Sequence, residues 1–385
     1  MSSDAIPLPI ITDRLYLEIP DVALEPHQAF STSGAGWRAR LNQLSLEAIL
    51  PWLQEERQEE RTARVWPSEA ALPSFWEFVN GTAIACEDLR LVILPTTDID
   101  LRELRVPQEW VDIASWSADC YLAVQVNLDA GWIRIWGYAT HNQLKTKGTY
   151  NPSDRTYSLD EDALIQDLNV LWIAHQLCPE EPIRAAVAAI PTLPLLQAKN
   201  LLERLGNPSI VFPRLAVPFP LWAALLEHGG WRQRLYERRQ GLLDAGSVPQ
   251  WLQSGLSDLA QQLGWSLRAL PLVPGMRSRV EPGESVSRQL SIAGNLYELQ
   301  VFPREDSENR IWRFELRPLE ADRQIPPGFK LRLLTEDLQP FDHNEDTAIE
   351  PSDRLYVDVI LEPEEGIVWE IDPPPEGYDR EILNF

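Results

Sequence analysis

Alternation of apolar and polar positions marks a β-rich block over residues 72–158. The segments LRLVIL (89–94), CYLAVQV (120–126) and WIRIWGY (132–138) are predicted to be strands. A short polar turn separates the last two, which predicts a hairpin. Because an isolated hairpin is only marginally stable in water, we expect a small β-barrel or curled sheet with helices flanking it.

Apolar residues at spacings of three and four predict helices on both sides of this block. Residues 37–48 present one apolar helix face, and Pro51 should kink or end that helix, because proline lacks an N–H and collides with the preceding turn. Ser158 and Glu161 have the spacing of a capping box, which predicts a helix that stops at Pro179.

Residues 221–264 are predicted to be helical, with an interruption at Gly229-Gly230. Ser247 is the predicted N-cap of a last helix that ends at Gly264. From residue 265 onward the period changes to two, and short antiparallel strands packed as an immunoglobulin-like sandwich fit this pattern. The predicted strands are SLRALPL, SVSRQLSI, NLYELQVF, IWRFELRP, FKLRLLTE, LYVDVILEP and IVWEID.

The predicted fold class is therefore a multidomain α+β protein. It combines an N-terminal small β-barrel or curled sheet with flanking helices, a helical middle and a C-terminal antiparallel β-sandwich of immunoglobulin-like type. A length of 385 residues favours more than one domain, because single cores rarely exceed about 300 residues. The predicted parts are an extended arm (1–35), an α+β domain with a β-rich core (36–178), a Pro-rich connector (179–220), a helical segment (221–264) and an acidic β-sandwich (265–385).

The formal net charge is −24, and this field repels nucleic acid phosphates, so we expect no nucleic acid partner. Residues 281–385 hold about 25 acidic and 10 basic side chains, so the acidity concentrates in the predicted sandwich. Electrostatic steering of a basic protein partner is one consequence of such a surface, and solubility is the alternative explanation.

The three cysteines, Cys86, Cys120 and Cys178, are widely spaced and form no CxxC pair. They are typical of small buried residues and not of a disulfide framework or metal site. The first 20 residues lack the basic and apolar regions of a signal peptide, and no segment reaches about 18 apolar residues. We therefore expect a cytoplasmic protein with no membrane span.

The sequence contains no P-loop, dinucleotide-binding, nucleophile-elbow or HExxH motif, so we predict no cofactor, no metal and no catalytic residue. His141 follows a strand and is a candidate for catalysis, although no nucleophile can be assigned to it. His175 lies on an apolar helix face and is more typical of packing. Oxygen ligands at alternating positions around His343 (Asp342 to Asp346) could hold a hard cation, but the glycine and the closing glutamate of an EF-hand are missing, so an exposed loop is the favoured interpretation.

Arg232, Arg234, Arg238 and Arg239 form a basic cluster within the helical segment and are the candidate contacts for a partner. Clustered guanidinium groups bind carboxylates or phosphates through paired hydrogen bonds. The alternative, which the sequence favours, is that these arginines pair with the acidic C-terminal part of the same chain.

Three long Trp-rich segments carry a resemblance to a known family: PSEAALPSFWEFVNGTAI (67–84), residues 105–145 and residues 330–382. They resemble the cyanobacterial domain-of-unknown-function family DUF1822. The resemblance covers most of the chain and is loosest in the Pro-rich middle. It implies a soluble protein without an assigned activity, and it supplies no catalytic residues to carry over.

The leading functional hypothesis is a non-enzymatic adaptor or regulatory protein that contacts another, unidentified protein. Fifteen tryptophans, an acidic sandwich and the missing catalytic motifs motivate it. The alternatives are an enzyme with an unrecognised site in the N-terminal β-rich domain or at the domain seam, and a mimic of nucleic acid charge. The sequence does not set the oligomeric state.

Overall fold

The structure is a computed structural model of the 385-residue chain. It describes residues 15–20, 30–55, 63–86, 89–177, 183–242, 246–269, 284–304, 311–320 and 322–385.

The helices of the described residues alternate with strands in the first half of the chain and cluster in its middle. They are α1 (Ser33–Glu55), α2 (Leu72–Trp76), α3 (Gln108–Asp112), α4 (His141–Lys147), α5 (Leu168–Leu177), α6 (Leu195–Leu205), α7 (Phe219–Glu227), α8 (Gly229–Gln240), α9 (Val248–Ser254) and α10 (Asp258–Gln262). Within the described ranges no helix combines the length and the apolar character that crossing a membrane requires.

The strands fall into an early and a late group. The early strands are β1 (Leu15–Glu18), β2 (Ala63–Trp66), β3 (Thr82–Cys86), β4 (Leu89–Thr96), β5 (Glu103–Pro107), β6 (Cys120–Asn127), β7 (Trp132–Thr140), β8 (Thr149–Asn151) and β9 (Thr156–Asp160). The late strands are β10 (Trp265–Ala269), β11 (Glu284–Ile292), β12 (Asn295–Pro303), β13 (Ile311–Pro318), β14 (Lys330–Thr335), β15 (Glu345–Thr347), β16 (Leu355–Ile360), β17 (Gly366–Asp372) and β18 (Ile382–Asn384).

A curled six-stranded sheet forms the N-terminal core, in the order β1-β7-β6-β4-β3-β2. All of its pairs are antiparallel except β4 with β6. Helix α1 packs on this sheet through its buried apolar residues. A separate three-stranded sheet has the order β5-β9-β8. The mixed α+β class, the curled sheet and the β6–β7 hairpin are therefore confirmed.

Two helix predictions in this half need correction. Helix α1 does not end at Pro51 but continues to Glu55. The burial of Leu53 after the proline offsets the cost of the backbone hydrogen bond that the proline cannot donate. Ser158 does not cap a helix. It lies within β9, paired with strands on both sides, and the helix begins only at Leu168. Cross-strand pairing outweighs the local capping signal there. Pro179 and the side chain of His175 lie outside the described residues.

The late strands form two antiparallel sheets, β10-β11-β12-β13-β16 and β15-β14-β17-β18. All seven strands predicted after residue 265 are found in the described residues, although residues 270–272 of SLRALPL lie outside them, and β15 and β18 were missed. Both sheets contribute side chains to one hydrophobic core, for example Phe314 and Val286 from the first and Leu331 and Trp369 from the second.

The helical segment differs from its prediction at two places. Residues 247–264 form two short helices and not one, because Gly255 ends α9 at φ +96° and Ser257 caps α10. Ser247 caps α9 with a capping box to Gln250, as predicted. Helix α6 was missed inside the predicted Pro-rich connector.

Contacts divide the chain into two compact units, each assembled from separated stretches of sequence. The N-terminal unit comprises Met1–Trp66, Phe75–Pro191 and Val211–Ala223; the C-terminal unit comprises Pro67–Ser74, Thr192–Ile210 and Ala224–Phe385. The five-part division along the sequence stays a prediction, because compactness alone does not measure which parts fold independently.

Candidate functional site

A small cleft in the C-terminal unit brings together side chains from α8, α9, α10, β10 and the segment around β18. It encloses about 50 Å³. Pockets for small organic ligands usually enclose roughly 300–1,000 Å³, so this cleft has room for the end of one side chain and not for a whole metabolite. The residues that give it chemical character are Arg234, Glu237, Trp251, Trp265, Glu381 and Asn384.

Helix α8 forms one wall of the cleft, and its start is fixed by two local features. His228 is the N-cap, and its Nδ1 atom accepts a hydrogen bond from the backbone N–H of Trp231 at 3.3 Å. Gly230 faces the incoming C-terminal segment, and a methyl group at this position would overlap the side chain of Ile382. The Gly229-Gly230 pair is therefore needed for this close approach.

Arg234 is held rigidly at the cleft wall. Its guanidinium lies 2.5 Å from Glu336 Oε1 and also donates to Asn384 Oδ1. The indole N–H of Trp231 donates to the same Glu336 oxygen at 3.1 Å. Glu336 is buried, so its carboxylate needs these donors, and the same hydrogen bonds fix the position of the arginine.

Glu381 forms the acidic side of the cleft and is equally well held. Its carboxylate accepts from Trp265 Nε1 at 3.2 Å, Trp369 Nε1 at 2.6 Å and Arg288 Nη1 at 2.9 Å. The rings of Trp251 and Trp265 lie 6.4 Å apart, between centroids. The cleft therefore combines a fixed carboxylate, a fixed guanidinium and two indoles, which is a composition typical of protein recognition.

His228, the N-cap of α8, uses both ring nitrogens in hydrogen bonds within the chain. Its Nδ1 accepts a hydrogen bond, so the proton is on Nε2, which donates to the carbonyl oxygen of Glu336 at 3.0 Å. Burial, and then the nearby Arg380 charge, lower the pKa of His228 to about 3. The ring is neutral at pH 7 and has no unused nitrogen for proton transfer.

The predicted arginine cluster does not form one surface. Arg232 is buried and donates to Ser74 Oγ at 3.0 Å, to the Leu226 carbonyl at 3.0 Å and to the Asp379 carboxylate. Arg234 pairs with Glu336 as described. Both residues therefore pair within the chain, as the alternative interpretation expected.

The other two arginines of the cluster differ in their exposure to solvent. Arg239 is buried and donates to the carbonyl oxygens of Leu205, Asn207 and Ile210, which attaches the end of α6 to α8. Arg238 is exposed. Contact of the cluster with another protein stays a prediction, and among its members Arg234 lies at the cleft and Arg238 on the surface.

Comparison with known proteins gives a family. A family model described as a protein of unknown function (DUF1822) matches residues 18–384. The chain belongs to this family. Neither curated proteins nor solved structures provide a match. All three segments that carried the resemblance lie within the matched range.

In this DUF1822 chain, His141 is a buried structural residue of the N-terminal unit. Its Nδ1 accepts from the backbone N–H of Ala185 at 3.0 Å, and its Nε2 lies 2.9 Å from the Val111 carbonyl, to which it donates. Burial lowers its pKa. With both nitrogens bound to main chain, the ring attaches the segment around residue 185 to the β-rich core.

A buried ion pair in the same unit fixes the end of the Pro-rich segment. Arg214 binds Glu109 through two hydrogen bonds, of 3.0 and 2.7 Å, and Trp222 Nε1 donates to Glu109 at 2.8 Å. Glu109 is fully buried, and these three donors supply the hydrogen bonds that a buried carboxylate requires. Nothing in the sequence indicated this pair, because its members lie 105 residues apart.

The loop around His343 has no metal-site geometry in the described part of the DUF1822 chain. Within that part, no group of three or more His, Cys, Asp or Glu side chains is arranged to hold a metal ion. Glu345 instead pairs with Lys330 at 3.1 Å and Arg332 at 3.0 Å, and these hydrogen bonds lower its pKa.

Proposed function

We propose that the protein is a non-enzymatic adaptor or regulatory protein that acts by contact with another protein through the cleft of its C-terminal unit. The observation that carries this proposal is the combination of small volume and aromatic, charged walls in the cleft. A space of about 50 Å³ accepts one side chain of a partner, as the centre of a protein interface does.

The rigidity of the cleft supports the same function. Arg234 and Glu381 are fixed by partners within the chain before anything binds. A preorganised site loses little side-chain entropy on association, and this raises affinity without added area. The excess of acidic residues in 281–385 attracts a basic partner over longer range.

We further propose that the two late sheets form an immunoglobulin-like sandwich that serves as the rigid frame for this contact. Their antiparallel pairing and their common hydrophobic core support this arrangement. The frame alone specifies no partner, because such folds carry many functions.

Affinity capture from native lysate tests the proposed contact with a matched pair of variants. Gln233 lines the cleft and is half-buried, so Gln233→Trp fills its mouth. Gln262 lies on α10 outside the lining and is exposed, so Gln262→Trp adds the same ring elsewhere. We expect the wild-type chain and Gln262→Trp to retain the same protein at low salt, and Gln233→Trp to lose it.

As a control for folding, both variants must have the same melting temperature as the wild-type chain. Elution of the partner by high salt is expected, because the steering charge is screened. Retention of the same protein by Gln233→Trp would show that the cleft is not the contact. Failure to enrich any protein at either salt would contradict the adaptor function itself.

A further inference from the structure

The size of the cleft in the C-terminal unit limits the side chain that can enter it. The cleft encloses about 50 Å³. Cavities of roughly 150 Å³ hold one benzene ring, so this cleft has no room for the ring of an aromatic residue. The aliphatic ends of leucine, isoleucine and methionine are narrower than such a ring. Size therefore favours an aliphatic side chain over an aromatic one.

Small residues on three segments of the wall leave the cleft open. Gly230 on α8, Gly246 before α9 and Ala260 on α10 line it and contribute no more than a methyl group. A β-carbon at Gly246 would lie 2.8 Å from Trp251 Nε1, which is closer than side-chain atoms approach one another. Larger residues at these positions would therefore close the cleft.

The most buried walls of the cleft are apolar. Trp251, Ala260, Trp265 and Leu383 line it and are at most 6% exposed. The indole N–H of Trp265 is already used, because it donates to Glu381. A polar group placed against these walls would lose hydrogen bonds to water without replacement, whereas an aliphatic group is stabilised by leaving water. The interior of the cleft therefore favours an apolar occupant.

Three side chains that can carry a charge also line the cleft, and each is hydrogen-bonded within the chain. Arg234 and Glu381 have the partners described above. Glu237 is 5% exposed and accepts from Gln233 Nε2 at 3.0 Å. A charged group that entered the cleft would meet side chains that already have partners, so it would lose its hydration without forming a comparable ion pair. The cleft therefore disfavours a charged side chain.

We propose that the cleft binds the end of an aliphatic side chain, of the size of leucine, isoleucine or methionine, on the surface of a partner protein. The inference rests on the proposed adaptor function and names the group of the partner that enters the cleft. The hydrogen-bonded polar side chains of the wall hold the cleft in shape, and the affinity comes from apolar surface that leaves water.

Blocked pentapeptides of the form Gly-Gly-Xaa-Gly-Gly test this proposal, because they differ only in the central side chain. NMR of the nitrogen-15-labelled full chain follows their binding at the indole N–H signals of Trp251 and Trp265, assigned with Trp251→Phe and Trp265→Phe. We expect the leucine, isoleucine and methionine peptides to bind about tenfold or more tightly than the alanine peptide, because each further buried CH₂ adds roughly fourfold. No change of either signal with the leucine peptide would overturn the proposal.

Further peptides of the same series test polarity and size separately. Glutamine and methionine are similar in length and differ in polarity, lysine adds a charge, and phenylalanine adds a ring. We expect the glutamine, lysine and phenylalanine peptides to bind no more tightly than the alanine peptide. Tighter binding of the lysine or the phenylalanine peptide than of the leucine peptide would overturn the proposal and assign the cleft to a cation or to an aromatic ring.

An enlarged cleft gives a test that misfolding cannot imitate, because the expected result is a gain of binding. Leu263 and Leu252 are both half-buried and pack against the core of the unit, but only Leu263 lines the cleft. We expect Leu263→Ala to bind the phenylalanine peptide about tenfold more tightly than wild type, because the removed carbon atoms leave room for the ring. Leu252→Ala should bind it as weakly as wild type. Equal binding by the two variants would overturn the proposal.

A second copy of the chain is the other possible occupant. Self-association of the wild-type chain in sedimentation that Gln233→Trp abolishes and Gln262→Trp does not would assign the cleft to a second copy. That result would overturn the proposal of a different partner.

The peptides and the lysate capture distinguish failure of this inference from failure of the adaptor function. Loss of the captured protein by Gln233→Trp, together with no preference for leucine over alanine, would retain the adaptor contact and contradict only the aliphatic group. A preference for leucine, together with retention of the captured protein by Gln233→Trp, would contradict the adaptor contact and leave the preference of the cleft in place.

Discussion

The C-terminal unit contains two groups of arginines: one is close in the sequence but dispersed in the structure, and the other is dispersed in the sequence but close in the structure. Those of α8 lie within eight residues, from Arg232 to Arg239, yet two are buried, one is half-buried and one is exposed. Those of the five-stranded sheet are scattered from Arg268 to Arg354, yet they share one outer face. A helix turns successive residues around its axis, whereas a sheet aligns residues from distant strands.

The difference teaches that clustering in the sequence and clustering on the surface are separate properties. On α8, the buried guanidinium groups of Arg232 and Arg239 donate to acceptors that water cannot reach, so they contribute to stability. On the sheet, the outer guanidinium groups keep contact with water, so they contribute less to stability. Stability measurements can therefore separate the two groups.

The largest effect is expected at Arg232. Arg232→Met leaves the Asp379 carboxylate, the Leu226 carbonyl and the Ser74 hydroxyl without their donor. Breaking a buried ion pair on one side typically costs about 3–5 kcal/mol, and the partial exposure of Asp379 places this case near the lower end. Urea unfolding at pH 7 measures the loss.

Arg238→Met on the same helix is the control, because Arg238 is exposed. Its effect should stay below about 1 kcal/mol, mainly from loss of a favourable charge near the helix C-terminus. Similar losses in the two variants would mean that position on the helix, and not burial, sets the role of these arginines.

Much of the fold was predictable from the sequence because strand alternation is a local property. All seven segments with period two after residue 265 are strands, and LRLVIL, CYLAVQV and WIRIWGY are too. The predictions were wrong where pairing with a strand distant in the sequence determines the local structure. Ser158 has a capping sequence but pairs with β5 and β8, and β18 is a three-residue strand formed by pairing with β17.

The cleft was not predictable, because its parts become neighbours only in the folded chain. Trp265 and Glu381 are 116 residues apart and are joined by one hydrogen bond. No motif or spacing in the sequence connects Trp251, Trp265 and Glu381. For the same reason, sequence spacing drew attention to Arg232 and its neighbours and overlooked the sheet arginines.

As the pH is lowered from 7, the protonation of His228 at the start of α8 should reduce the free energy of unfolding at a higher pH than the protonation of Asp358 on the sheet face does. The folded pKa of His228 is about 3, whereas the unfolded chain takes up this proton near pH 6.5. Between these values only the unfolded state gains the proton, so stability falls as pH decreases, by up to about 1.4 kcal/mol per pH unit. Urea unfolding between pH 7 and pH 5 measures this slope.

His228→Asn provides the comparison for that slope, because asparagine still caps a helix but does not titrate. His141 titrates in the same direction and is unchanged in the variant, so only part of the slope should disappear. The pair Arg313–Asp358 contributes nothing in this window, because the pKa of Asp358 is lowered and lies below its usual value near 4. An unchanged slope in His228→Asn would contradict the assignment.

The smallest effect is expected at Arg313 on the sheet face. Arg313→Ala removes a two-bond contact with Asp358 and the stacking on Tyr356, but Arg304 remains within 3.0 Å of that carboxylate. Since the pair is partly solvated, the expected loss is about 1 kcal/mol at pH 7 in urea unfolding.

Repeating the urea unfolding of wild type and Arg313→Ala at lower pH should show which part of this loss of stability is electrostatic. The pKa of Asp358 is lowered in the folded state, so its contribution is present above pH about 4 and disappears as pH falls through the folded pKa. The difference between wild type and Arg313→Ala should shrink accordingly, leaving only the stacking on Tyr356. If Arg313→Ala were as destabilising as Arg232→Met, the arginine of the sheet would stabilise the fold as much as the buried arginine of α8, and the contrast between the two groups would be wrong.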